Sequence, residues 1–122
     1  MSGCIRAAFV AGPTPAPDGS SLFEFKFSSN DFVFAGHFPG HPLLPGIFQI
    51  ELVRFAGERL LGCSLQIREI VKVKFLRPIL PEELIRLSLK LTEQTPMIDV
   101  RAGLLAGGQP AGEAFLKLWR DA

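Results

Sequence analysis

The spacing of apolar residues predicts a β-hairpin near the beginning of the chain. In the segment 22–28, phenylalanine occupies every second position up to Phe27, an alternation typical of a strand with one buried face. A shorter apolar run lies at residues 5–10, and the Pro- and Gly-rich segment 12–20 separates the two runs. We therefore expect the two runs to pair as neighbouring strands.

The second half of the chain predicts three or four long strands. Apolar and polar residues alternate in the segments 65–76 and 84–92, and two further apolar segments flank the sequence Gly-Gly-Gln-Pro at 107–110. That short polar sequence is typical of a hairpin turn. An antiparallel sheet with a helix packed on one face accommodates this order of elements, so the predicted fold class is α+β.

One long helix is predicted between the two groups of strands, from about residue 46 to residue 61. Pro45 is suited to a helix start, and Gly62 is suited to a helix end. Apolar residues cover almost the whole circumference of this segment, which is typical of a helix buried on most sides. We therefore expect the sheet to curl around the helix and a second copy of the protein to cover the remainder.

Composition and charge restrict the class of protein. The chain has 122 residues, which fits one domain spanning 1–122, and 48% of them are hydrophobic. The net charge of +1 argues against a nucleic-acid or membrane binder. No apolar stretch approaches the roughly 20 residues of a membrane span. The cysteines, Cys4 and Cys63, have no metal-binding spacing, so we expect reduced thiols in a cytoplasmic protein.

The candidate chemistry lies in the segment "GHFPGHPLLPGIFQIE", residues 36–51. His37 lies in a loop stiffened by prolines and glycines, and stiff loops position functional side chains. Gly46 begins the predicted helix, where free backbone N–H groups can polarise a carbonyl oxygen. His41 has a metal-like spacing to His37, but Pro39 and Pro42 disfavour a helix there, so no metal site is predicted and His41 is expected at the surface.

Glu51 allows two interpretations. Glu51, Arg54 and Glu58 share one stripe of the predicted helix, so they can be a solvated polar face in which Arg54 pairs with one or both glutamates. Alternatively, burial of Glu51 disfavours its charged form and makes it a proton donor near neutral pH. A histidine, a carboxyl group and an N–H donor form the set that removes a proton beside a carbonyl and expels a neighbouring hydroxyl.

The same segment resembles the signature of the bacterial dehydratases that act on 3-hydroxyacyl thioesters of acyl carrier protein in fatty-acid synthesis. That signature reads G-H-F-P-x-x-P-x-x-P-G, with an acid fourteen residues after the histidine, as Glu51 follows His37. The segment 71–91 also resembles the family's K-F-x-R-P-V-x-P-G-D region. The resemblance implies a hotdog fold, in which a curved antiparallel sheet wraps a long central helix.

The resemblance also implies the reaction and the roles of the residues. A hydro-lyase of this family forms the trans-2-enoyl thioester, in fatty-acid or related polyketide or polyene synthesis. His37 would take the C2 proton, Glu51 of the partner subunit would protonate the departing C3 hydroxyl, and the Gly46 N–H would hold the thioester oxygen. We predict that Gly46, Ile47 and Phe55 contact the substrate. The Glu at 51, where relatives that also isomerise have Asp, favours dehydration alone.

The implied partners are an acyl carrier protein and a second subunit. The substrate arrives on the phosphopantetheine arm of the carrier protein, and no further cofactor is expected. The implied assembly is a homodimer joined edge to edge, with a trimer of dimers or a heterodimer with a homologue as alternatives. No nucleic acid and no membrane is expected as a partner.

Two departures from the family pattern keep alternatives open. Phe55 replaces a glutamine that hydrogen-bonds the acid in the family, and Arg54 lies three residues after Glu51. An arginine in contact with Glu51 would favour its charged form and oppose proton donation, whereas Phe55 would dry the pocket and act in the opposite direction. The alternatives are a hotdog acyl thioesterase and a non-catalytic partner subunit of an active dehydratase.

Overall fold

The computed structural model describes residues 2–34 and 42–121. The elements in chain order are α1 (Ser2–Ala8), β1 (Phe9–Pro15), β2 (Ser21–Phe25), a short 3-10 turn (Phe32–Phe34), α2 (Gly46–Leu61), β3 (Leu65–Phe75), β4 (Ile85–Gln94), β5 (Met97–Ala106) and β6 (Gln109–Arg120). The predictions for His37 and His41 therefore lie outside the described residues. The four long strands after the helix agree with the alternation in the sequence.

The six strands form one antiparallel sheet with the order β1-β2-β4-β5-β6-β3. Sequence neighbours β4, β5 and β6 pair through hairpins, and Gly107 and Gly108 adopt positive φ angles in the predicted turn between β5 and β6. The two edge strands are β1 and β3. Because β3 follows α2 directly, the helix leads the chain from the β1 side of the sheet to the opposite edge.

The sheet curves around α2. The helix contacts β1 and β3, the two edge strands, and also β4 near the middle of the sheet. A flat sheet of six strands is about 24 Å wide, whereas a helix with its side chains is only about 10 Å across, so both edges reach the helix only if the sheet bends. The predicted α+β fold, a hotdog arrangement of a helix wrapped by a sheet, is confirmed.

The predicted ends of α2 are also confirmed. Pro45 occupies the cap position in extended conformation, and Gly62 ends the helix with a φ of 69°. Only a residue that tolerates the left-handed region fits this end at low cost, and the N–H of Gly62 donates to Glu58 O at 2.8 Å. These local signals define where α2 begins and ends, so Gly46 lies in its first turn.

The N-terminal apolar run differs from its prediction. Its first part is helical, because residues up to Ala8 belong to α1, which packs on α2 with Ile5 only 1% exposed. The hairpin begins at Phe9 and continues into the segment predicted as a loop. Gly12 permits this continuation, since it has a φ of 125° and a Cβ there would lie 2.7 Å from Leu22 O.

Candidate active site

Helix α2 has one face covered by the chain's own sheet and one face that is not. The covered face consists of six buried residues: Gln49, Ile50, Leu52, Val53, Ala56 and Gly57. The opposite face carries Glu51, Arg54 and Glu58, all partly exposed, together with Ile47, which is 51% exposed. We call these four residues the open stripe. The helix is therefore not buried all round by one copy of the chain.

Arg54 binds both glutamates of the open stripe. Its Nη2 lies 2.7 Å from Glu51 Oε2, its Nε donates to the same oxygen at 2.8 Å, and its Nη1 lies 3.2 Å from Glu58 Oε2. The pairing expected for a polar stripe is thus present. The side chain of Glu51 is only 15% exposed, so this carboxylate is both sheltered and charge-compensated.

The same network joins α2 to the beginning of β3. Glu58 Oε2 accepts a hydrogen bond from Leu65 N–H at 2.9 Å, and Arg54 Nη1 donates to Leu65 O at 3.4 Å. Leu65 is 2% exposed, so its peptide groups need protein partners. Arg54 and Glu58 therefore have a structural role at this junction that is independent of any chemistry at Glu51.

The first turn of α2 lies under the ring of Phe75. A Cβ added to Gly46 would lie 2.6 Å from Phe75 Cζ, so the ring packs directly on the glycine backbone. The N–H groups of Phe48 and Gln49 both approach Pro45 O, at 3.0 and 3.4 Å. Those of Gly46 and Ile47 precede the first helical hydrogen bond and are the donors available for a ligand. Glu51 lies about 7.5 Å further along the helix axis.

Phe55 occupies a different part of the helix. Its ring packs against Phe9 and Phe25, with centroid distances of 5.7 and 5.9 Å. It lies about 13 Å along the axis from Gly46. Its role at the substrate stays a prediction, and its contacts among the described residues are those of an aromatic core cluster.

Gln49 is a candidate that the sequence analysis did not single out. It is 5% exposed, and its Oε1 has no hydrogen-bond partner among the residues that the structure describes. A signal was available in the sequence, since Gln49 precedes Val53 by four residues and Ala56 by seven and so shares their buried face. A polar side chain on that face is unusual and calls for a partner.

The described residues contain neither a cluster of potential metal ligands nor a helix that could span a membrane. Within residues 2–34 and 42–121, no three or more Cys, Asp or Glu side chains come together as a potential metal site. In those same ranges, none of the helices combines the length and the hydropathy needed to cross a bilayer. The distance between His37 and Glu51 involves a residue outside the described ranges, so their proximity stays a prediction.

Comparison with known families identifies similar sequences over most of the chain. A family model described as ApeI-like, ApeI dehydratase, matches residues 15–105. The enzyme 3-hydroxyacyl-(acyl-carrier-protein) dehydratase FabZ of Clostridium botulinum strain Kyoto is 31% identical over 112 residues, which cover 84% of this chain and 78% of that protein. The matched region of the family model includes His37 and the whole of α2.

Solved structures share the fold. The dehydratase heterocomplex ApeI:P from Xenorhabdus doucetiae contains a chain 30% identical to this one, with a TM-score of 0.69 and coverage of 83% of this chain and 88% of that chain. An uncharacterized protein from Erwinia carotovora is 27% identical, with the same TM-score and coverage of 93% and 95%. A probable thioesterase from Bartonella henselae, at 14% identity and a TM-score of 0.66, shares the fold alone.

The junction between α2 and β3 generates a stability prediction. Glu58→Ala removes the acceptor of a buried N–H, whereas Glu51→Ala leaves that N–H bonded and leaves Arg54 paired with Glu58. We expect Glu58→Ala to lower the free energy of unfolding by about 1 kcal/mol more than Glu51→Ala. Urea denaturation of both variants measures the difference, and equal losses would refute the structural role of Glu58.

Proposed function

Because the chain belongs to the ApeI-like dehydratase family, we propose that it removes water from a 3-hydroxyacyl thioester carried on an acyl carrier protein, forming the trans-2-enoyl thioester. The observation that carries this proposal is the position of Glu51. This carboxylate lies on the open stripe of α2, sheltered yet not covered by its own sheet, a turn and a half from the helix start. A group placed there can reach a substrate bound between two subunits.

The proposed reaction uses three groups of the protein. His37 takes the proton from C2, and the N–H groups at Gly46 stabilise the negative charge that develops on the thioester oxygen. The C3–O bond then breaks, and the departing hydroxyl receives a proton from Glu51 of the partner subunit and leaves as water. One proton is removed and one is delivered, so a transfer from His37 back to Glu51 through solvent restores the starting state.

A second subunit is part of this proposal because two surfaces of the described residues are exposed to solvent in the single chain. The open stripe of α2 is one, and the edge of β3 is the other, where Ile70, Val71 and Phe75 are 50%, 42% and 55% exposed. An eleven-residue edge strand with exposed apolar side chains is a template for pairing with another strand. We propose that β3 pairs with the β3 strand of a second copy and so brings each open stripe to the neighbouring subunit.

Arg54 supports a second candidate function. In this chain Glu51 is engaged by a guanidinium group, whereas a general acid must hold a proton when the hydroxyl leaves. A subunit whose acid is committed to an ion pair can contribute its histidine half of the site and leave the acid to a homologous partner. One of the similar structures is a dehydratase heterocomplex. In this alternative the homodimer is inactive and the heterodimer dehydrates.

The first prediction of the proposal concerns the products. Purified protein is incubated with a 3-hydroxyacyl carrier protein, and the acyl group is analysed by mass. We expect loss of water, reduced by about 100-fold or more in His37→Ala and in Glu51→Gln, because general acid and base groups contribute factors of this size.

The outcomes separate the candidates. A free acid would identify a thioesterase, and an unchanged substrate would favour the subunit that needs a homologue. Full activity of His37→Ala would remove the assignment of the base. Arg59→Met serves as the matched control on α2, since Arg59 stacks on Phe9 and lies outside the ion-pair network.

The second prediction concerns the β3 edge. Ile70→Lys places a charge in the proposed interface, whereas Val10→Lys makes a comparable change at the opposite edge, where Val10 is 54% exposed. We expect light scattering to give twice the chain mass of 13.4 kDa for the wild type and for Val10→Lys. Ile70→Lys should weaken association by about tenfold or more, because a buried unpaired charge is costly. An unchanged dimer in Ile70→Lys would refute this interface.

A further inference from the structure

The amide oxygen of Gln49 is a buried acceptor that the fold itself does not use. Gln49 is 5% exposed, and within residues 2–34 and 42–121 no donor reaches its Oε1. Buried polar atoms in folded proteins nearly always have a partner, and an exception calls for a ligand, a water molecule or a functional role. The position of the Gln49 side chain indicates which of these three explanations applies to its unpaired oxygen.

Gln49 lies where the first turn of α2 meets β3 and β6. A Cβ added to Gly112 of β6 would lie 3.3 Å from Gln49 Oε1, so the amide rests against that glycine. Gly112 is the register partner of Phe75 on β3, and the Phe75 ring in turn packs on Gly46. The unpaired oxygen of Gln49 therefore lies near the N-terminus of α2, together with the backbones of Gly46 and Gly112 and the ring of Phe75.

We propose that Gln49 is a substrate-binding residue whose Oε1 accepts a hydrogen bond from the C3 hydroxyl of the acyl thioester. This inference rests on the proposed function, because it takes the thioester oxygen to lie at the N–H groups of Gly46. Gln49 lies three residues further along the helix, about 4.5 Å along its axis. That separation matches the few bonds between the carbonyl carbon and the C3 hydroxyl of a 3-hydroxyacyl group.

The distance of Gln49 Oε1 from the protein surface distinguishes the C3 hydroxyl from the other hydrogen-bond donors of the substrate. The phosphopantetheine arm carries amide N–H groups, but it must lead outward to the carrier protein. The acyl part lies deeper, and Gln49 Oε1 is shielded from solvent. The donor that approaches it is therefore on the acyl side of the thioester, where a 3-hydroxyacyl group has one O–H.

The contact would also orient the leaving group. A hydroxyl has one donor hydrogen and two lone pairs. When its hydrogen points to Gln49 Oε1, its lone pairs are free to accept a proton from the acid of the partner subunit. The enoyl product has no such hydroxyl, so it loses this bond and is held less tightly than the substrate.

Phe75 provides the access to this position. Its ring covers the backbone of Gly46, so a ligand that binds the N–H groups there requires this ring to move. The Gln49 amide rests against Gly112 of β6 and lies outside the contact between Phe75 and Gly46 that would open. The ring is therefore the part of the proposed binding position that must move.

The test compares binding of two ligands and needs no turnover. The probes are pantetheine amides of a 3-hydroxyacyl group and of the matched saturated acyl group that lacks the hydroxyl. We expect the wild type to prefer the hydroxylated ligand by about tenfold, the factor expected from one hydrogen bond. Gln49→Met should abolish this preference while the stability in urea stays unchanged or rises, since it removes an unsatisfied buried acceptor.

Leu52→Met is the matched control, because it is a volume-conserving change on the same buried helix face and should keep the preference. Equal preference in wild type and Gln49→Met would mean that Gln49 binds only a water molecule, and would overturn the inference. Absence of any preference in the wild type would also overturn it. The proposed function is judged separately by the loss of water, so failure of one is distinguishable from failure of the other.

Discussion

Helix α2 has two sides, and the single sheet of one chain covers only one of them. Six residues face the curved sheet, and the opposite stripe carries an exposed Ile47 beside Glu51, Arg54 and Glu58. The remaining features of the structure depend on this division. The covered side contributes the core and holds Gln49 in place, and the uncovered side presents an acid to whatever lies next to the helix.

The uncovered side serves two purposes that oppose each other. Arg54 and Glu58 hold the peptide groups of Leu65 and so position β3, the strand on which the proposed interface depends. The same arginine pairs with Glu51, its Nη2 lying 2.7 Å from Glu51 Oε2, although the proposed reaction requires this carboxyl group to donate a proton. Such a subunit is suited to a site shared between chains, in which one chain contributes the histidine and another chain contributes the acid.

The sequence predicted α2 and the four strands that follow it from strong local signals, and it missed features that depend on distant contacts. Pro45 and Gly62 delimit α2 through their own backbone preferences, and the alternation in β4 reflects one buried face. The run before Phe9 was too short to distinguish helix from strand, and its helical form depends on packing against α2. Gln49 could have been identified from its spacing to Val53. The Phe75 ring over Gly46 joins residues that are far apart in the chain, so no local pattern predicts it.

The central claim is that the site is completed by a neighbouring subunit, and complementation between inactive variants tests it most directly. His37→Ala and Glu51→Gln are produced separately and then together, so that mixed dimers form. A site that takes His37 from one chain and Glu51 from the other is intact once in each mixed dimer, so random pairing should restore about a quarter of wild-type turnover. Turnover that stays at the background of the separate variants, although mixed dimers are present, would contradict the account.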